Sequence, residues 1–119
     1  MKKILFIDDH PQIQELMSRR LRGLYDVTVR SHAANIVSDF ERLDKPVVVL
    51  DVWMPKMDGF TAATLLKVKH PDARIIFLSS DESPDLIAKA YALGGCAYVV
   101  KSRAAAELVP AIEARPNPL

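Results

Sequence analysis

The stretch "VVVLDVWMPKMDG", residues 47–59, decides how this chain is read. Its apolar run, which Val52 continues, has the make-up of a strand covered on both faces. Asp51 interrupts that run. An ionised carboxylate is expensive in an apolar interior unless a cation or hydrogen-bond donors meet it. What meets Asp51, and what it does there, is the question the sequence poses.

Outward from this run, similar ones recur: "ILFI" at 4–7, "YDVTV" at 25–29, "IIFL" at 75–78 and "AYVV" at 97–100. The second is the most mixed and suits an edge. Between the runs, apolar residues fall at helical spacing: Ile13, Leu16, Met17 and Leu21, then Ile36, Val37, Phe40 and Leu43, then Ala62, Leu65 and Leu66, with Lys69 closing that last series. "SPDLIAKAYALGG" offers Ser83 as N-cap, Pro84 at the first helical position and Gly94 or Gly95 as a stop. "SRAAAELVPAIEA" offers Ser102 as N-cap, with Pro110 expected to kink or shorten the last helix because proline lacks a backbone donor. Asp58-Gly59 reads as a turn, with Gly59 supplying permissive backbone geometry. Strands alternating with helices predict five βα units with right-handed crossovers, an open five-stranded parallel α/β sheet with helices on both faces. One domain is expected over residues 1–115. "RPNPL" cannot continue a helix, so 116–119 read as a tail or the start of a linker.

Composition narrows the function classes. Of 119 residues, 50% are apolar and 26% charged, an ordinary globular balance. The net charge of +1 leaves no electrostatic footprint for nucleic acid or an anionic membrane surface. "MKKILFIDDH" begins like a secretion signal, but two aspartates end its short apolar run. No stretch approaches the roughly 20 apolar residues of a membrane span. Cys96, the single cysteine, excludes an internal disulfide and reads as a small buried residue. The expectation is a cytoplasmic protein. His10, His32 and His70 show no ligand spacing and receive no chemistry.

Three acidic positions gain meaning together. Asp8 and Asp9 follow the first strand, and Asp51 ends the third. In an open parallel sheet the carboxyl ends of all strands lie along one edge, where ligands bind at the reversal of strand order. With order 2-1-3-4-5 the three carboxylates meet in one cleft. Ser79 and Ser80 follow strand four and Lys101 follows strand five at that same edge. Three carboxylates and one ammonium sum to −2, close to what one hard divalent cation neutralises, and Mg²⁺ prefers oxygen ligands of this kind. One carboxylate would remain free as a nucleophile toward a phosphoryl donor, with the metal and Lys101 stabilising the transferring oxygens.

Four motifs in order, "IDD" at 7–9, "LDVWMPKMDG" at 50–59, "FLSS" at 77–80 and "AYVVK" at 97–101, resemble the receiver domain of bacterial two-component response regulators over residues 3 to about 113. The resemblance implies a flavodoxin-like (βα)₅ fold and a role for each matched residue. Asp51 would accept phosphate from the phosphohistidine of a sensor histidine kinase. Asp9 would ligate Mg²⁺ directly and Asp8 through water, with Asp51 and the backbone carbonyl of Trp53 as further ligands. Ser79 and Lys101 would contact the phosphoryl group, and Tyr98 would turn inward when the Ser79 hydroxyl moves. Ser80 would line access to the phosphate, as would the Trp53 ring. Output would follow from a shift of the surface formed by helix four, strand five and helix five. It would reach a downstream effector or a covalently linked output domain, and phosphorylation could form a homodimer. Such a switch catalyses its own phosphotransfer and dephosphorylation only.

Two departures from the family pattern stand out. Ser102 replaces the proline that commonly follows the lysine in a cis bond. That change resembles the branch whose receivers precede helix-turn-helix DNA-binding domains, and so transcription regulation. No DNA-binding segment is expected in these residues. Pro110 bears on whether helix five offers the usual dimer face. A competing class, an Mg²⁺-dependent phosphohydrolase resembling the haloacid dehalogenase family, needs a second aspartate two residues after the first, where this chain has Trp53. A flavin-binding relative needs a Ser/Thr/Gly-rich loop after strand one, where this chain has aspartates. A degenerate receiver acting by protein binding alone is the remaining alternative, although every site position is filled.

Overall fold

The computed structural model describes residues 2–114, so the expected tail at 116–119 lies outside the described residues. Five parallel strands, β1 (Lys3–Ile7), β2 (Asp26–Arg30), β3 (Val47–Asp51), β4 (Ile75–Ser79) and β5 (Ala97–Val100), form one sheet in the order β2-β1-β3-β4-β5. Five helices alternate with them: α1 (Pro11–Arg22), α2 (Ile36–Arg42), α3 (Gly59–Lys69), α4 (Pro84–Ala92) and α5 (Ala104–Glu113). This is the expected doubly wound arrangement, with β2 at an edge and more exposed than its neighbours.

Successive residues of a strand face opposite ways, and the core divides accordingly. Ile4, Phe6, Val47, Val49, Ile76, Leu78 and Val99 pack under α1 and α5 against Met17, Leu21, Leu108 and Ile112. Leu5, Ile7, Val48, Leu50, Ile75 and Phe77 pack against Ile36, Phe40, Ala62, Leu66 and Ala90 of the helices on the other face. Both faces being covered explains why the runs are nearly continuous in apolar residues. Among the described residues no helix is long and apolar enough to cross a membrane.

Several local expectations are corrected. In α3 the buried stripe is Phe60, Ala62, Ala63 and Leu66, whereas Leu65 and Lys69 face outward. A three-residue 3₁₀ turn, Lys101–Arg103, precedes α5, so Arg103 rather than Ser102 takes the cap position. Ser83 does hold the N-cap of α4, but its side chain makes no capping bond, and Gly94, with φ of 91°, follows the helix end. Cys96 is exposed, not buried. α5 runs through Pro110 to Glu113. Its last carbonyls are met from outside the helix, those of Ala111 and Ile112 by the Arg74 guanidinium at 3.2 and 3.0 Å.

Gly59 is needed for a different reason than turn geometry. It is the first residue of α3, where Asp58 caps the helix by accepting the Thr61 N–H at 2.8 Å. The Gly59 N–H donates to the Val52 carbonyl, which draws the helix start onto the end of β3. A Cβ on Gly59 would lie 2.2 Å from the Asp51 backbone oxygen. Only glycine lets α3 begin so close to Asp51. The left-handed residue of this loop is Lys56, with φ of 71°.

Candidate functional site

Strand register builds the site. Ile7 pairs with Leu50, so the residues that follow, Asp8 and Asp51, emerge side by side. Ser79 pairs with Val100, so Lys101 projects just beyond Ser79 at the same edge. Asp8, Asp51 and Ser79 are buried to within 2% of full exclusion from solvent. Lys101 is largely enclosed, and its Nζ lies 3.0 Å from Asp8 Oδ2 and 3.4 Å from Asp51 Oδ2. Asp9 is half-buried beside them, and Ser80 is exposed at the rim.

The electrostatics of this cluster are unbalanced. Among the described residues, Asp8 Oδ2, Asp9 Oδ1 and Asp51 Oδ2 are buried without a hydrogen-bond partner of good geometry, and the Lys101 ammonium offsets Asp8 and Asp51 at ion-pair distance. Burial first, and then the Asp8 carboxylate, push the Asp51 carboxyl up to about 6, although Lys101 and the Trp53 N–H pull the other way. That N–H donates to Asp51 Oδ1 at 3.3 Å, while the Trp53 ring is half exposed. Orphaned, converging carboxylate oxygens with one nearby ammonium are a donor set suited to a hard divalent cation, and Mg²⁺ fits it.

Ser79 and Tyr98 meet through Asp81. The Asp81 N–H donates to Ser79 Oγ at 3.1 Å, and the Tyr98 hydroxyl donates to the Asp81 carbonyl. Burial raises the Tyr98 phenol above its ordinary range. Nothing in the sequence marks Asp81, because it acts through its backbone.

The structure also brings in His10, to which the sequence assigned no chemistry. Its Nδ1 lies 3.2 Å from Asp8 Oδ1, 3.3 Å from Asp9 Oδ1 and 3.8 Å from Asp51 Oδ2. Its place directly after the aspartate pair, at the same sheet edge, was the available signal. Gln14 on α1 steadies the pair by donating to the Asp8 carbonyl and, at 3.0 Å, to Ser31 Oγ.

Comparison with known proteins bears on this pocket. The sensory transduction protein BceR of Halalkalibacterium halodurans is 32% identical over 102 residues, covering 85% of this chain and 44% of that protein. The transcriptional regulatory protein PdtaR of Mycobacterium tuberculosis is 31% identical over 114 residues, covering 94% of this chain and 55% of that protein. The chain spans about half, or less, of the length of the curated relatives it matches. Among solved structures, the response regulator TrrA of Thermotoga maritima in complex with Mg(2+)-BeF superposes with a TM-score of 0.81 at 31% identity, covering 92% of this chain and 95% of that one. A LuxR-family two-component response regulator from Aurantimonas superposes with a TM-score of 0.85 at 30% identity, covering 93% of this chain and 81% of that one. The model of the response regulator receiver domain matches residues 4–113, all of the sheet but its first residue, and all five helices. With its strand-end carboxylates and lysine set on that fold, the chain belongs to the response regulator receiver domain family.

Proposed function

We propose that the domain is a phosphorylation-activated switch in which Asp51 accepts a phosphoryl group from the phosphohistidine of a sensor kinase. The observation that carries this reading is the convergence of Asp8 Oδ2 and Asp51 Oδ2 on the Lys101 ammonium, with both oxygens buried and without hydrogen bonds. Such a pocket is poised for a cation and a transferring phosphoryl group rather than for rest. In the transfer the histidine N–P bond breaks as an O–P bond forms at Asp51, and no external substrate is turned over.

Asp8, Asp9 and Asp51, with the Trp53 backbone carbonyl, would hold Mg²⁺, which supplies charge neutralisation for the phosphoryl oxygens. Lys101 contributes positive charge from the other side. Ser79 Oγ, engaged here by the Asp81 N–H, would turn toward the phosphoryl group. Any such turn alters the Asp81 backbone that also receives the Tyr98 hydroxyl. Through that route the phosphorylated state reshapes the surface of α4, β5 and α5. Ser80 and the Trp53 ring flank the approach to the acceptor.

Relatives named as transcriptional regulators support an output in transcription, through a linked domain or a separate effector, and such an output would operate in the cytoplasm. A dimer formed on phosphorylation belongs to the same reading. Intact mass after incubation with acetyl phosphate and Mg²⁺ tests it. The expected result is a gain of one phosphoryl group in wild type, absent from Asp51→Asn and abolished by chelation. No gain in wild type would overturn the reading in favour of a receiver that acts by constitutive contacts.

A further inference from the structure

His10 occupies the N-cap of α1 yet makes no side-chain capping bond, although that position favours Ser, Thr, Asp or Asn for such a bond. The loop does not need the imidazole for its shape either, since the His10 backbone N–H already donates to Asp8 Oδ1 at 2.8 Å. The ring is turned instead into the acidic pocket, where Nδ1 faces one carboxylate oxygen from each of Asp8, Asp9 and Asp51. A single ring nitrogen can donate to only one of them. Hydrogen bonding from His10 therefore leaves Asp9 Oδ1 unmet, while Asp8 Oδ2 and Asp51 Oδ2 have the Lys101 ammonium at 3.0 and 3.4 Å.

Two of the three spacings are those of neighbouring ligands around one ion, and the third, 3.8 Å to Asp51 Oδ2, is longer. With bonds of about 2.1 Å, neighbouring ligands of an octahedral or tetrahedral centre stand about 3.0–3.4 Å apart. The distances from Nδ1 to Asp8 Oδ1 and Asp9 Oδ1, 3.2 and 3.3 Å, fall within that span. All four side chains offer ligand atoms within 4.8 Å of one another. Mg²⁺ gains little from a nitrogen donor, whereas ions such as Ni²⁺ and Zn²⁺ accept imidazole readily.

We infer that His10 Nδ1 is a nitrogen ligand of this pocket, so that it takes an imidazole-accepting divalent ion of the Ni²⁺ or Zn²⁺ kind in competition with Mg²⁺. The inference rests on reading the acidic pocket as a cation site. It adds a metal selectivity that the carboxylates alone do not supply, and it makes the same pocket responsive to two classes of ion.

Calorimetric titration with Ni²⁺ and, separately, with Mg²⁺ tests it. The background is a His32→Ala, His70→Ala chain, in which His10 is the only imidazole. Adding His10→Ala is expected to weaken Ni²⁺ binding by at least about tenfold, a loss that even an outer-shell partner of a ligand can produce. Mg²⁺ binding should change little. X-ray absorption of the Ni²⁺-loaded background protein should show imidazole scattering that His10→Ala removes. His10 is mostly exposed, and thermal unfolding without metal checks that the variant folds. Ni²⁺ affinity indifferent to His10, with Mg²⁺ still bound, overturns this inference and leaves the proposed function standing. Ni²⁺ binding that depends on His10 while Mg²⁺ fails to bind supports the inference and removes the Mg²⁺-dependent reading.

Discussion

Lys101 and Asp8 face each other across the carboxyl edge of the sheet, with Nζ 3.0 Å from Oδ2, and the same ammonium lies 3.4 Å from Asp51 Oδ2. One cation thus serves two buried carboxylates that arrive on different strands. Removing it leaves two like charges facing each other in a low-dielectric pocket. At neutral pH without metal, Lys101→Met is expected to destabilise the domain by about 3–5 kcal/mol, the range for stripping one partner from a buried ion pair. The urea midpoint measures this, and added Mg²⁺ should recover part of the loss. An unchanged midpoint would mean that Lys101 is held away from the carboxylates in solution.

Asp51 carries a pH dependence whose sign follows from its raised pKa. Burial and Asp8 hold its carboxyl at about 6 in the folded state, against 3.8 ordinarily. The folded state therefore binds this proton more tightly than the unfolded chain does. The resulting stabilisation is fully present below the unfolded value and disappears as pH rises through the folded one. Acidifying the metal-free domain from neutral pH toward about 5 should raise its stability relative to Asp51→Asn, by about 1 kcal/mol. Parallel pH profiles for the two proteins would contradict the assignment.

Gly59 sets how closely α3 can approach the acceptor. Gly59→Ala would place a methyl 2.2 Å from the Asp51 carbonyl oxygen, and backbone cannot yield as a flexible side chain does. A loss of about 2 kcal/mol or more is expected, at the upper part of the range for overpacking. Thermal unfolding reads it, and phosphorylation by acetyl phosphate should slow as Asp51 shifts. A variant as stable as wild type would show that the start of α3 re-registers freely.

The Trp53 ring stands half exposed two residues beyond Asp51, and in the proposed switch it would flank the route of an attacking water. Trp53→Asn opens that route and offers a polar group to the water, so the phosphorylated half-life should shorten several-fold. Decay of the phosphorylated mass species measures it. An equal or longer half-life sinks the idea.

How much of the site was legible depended on how each residue acts. Asp8, Asp9, Asp51, Ser79 and Lys101 announce themselves because polar residues ending apolar runs demand an explanation, and parallel strands bring their ends to one edge. Asp81 does not, because its backbone alone joins Ser79 to Tyr98. His10 does not either, because ligand spacing along the chain does not reveal neighbours across strands. The sequence marks Gly59 as a turn residue, but its need comes from the Asp51 carbonyl, a contact that exists only once α3 has folded back onto β3.

The sequence by itself determined the fold. Five apolar runs separated by helix-like segments leave few arrangements other than a doubly wound sheet, since both faces of each strand must be covered and crossovers are right-handed. It also determined which charged residues end the strands. The tertiary structure alone decided the register that sets Ile7 beside Leu50 and Ser79 beside Val100, and with it which charges touch. It likewise decided that Cys96 faces solvent, that α5 begins after a 3₁₀ turn and that the His10 ring points at three carboxylates. The reason is physical. Periodicity records which face of an element is buried, whereas a distance between side chains on different elements follows from packing that no local pattern encodes.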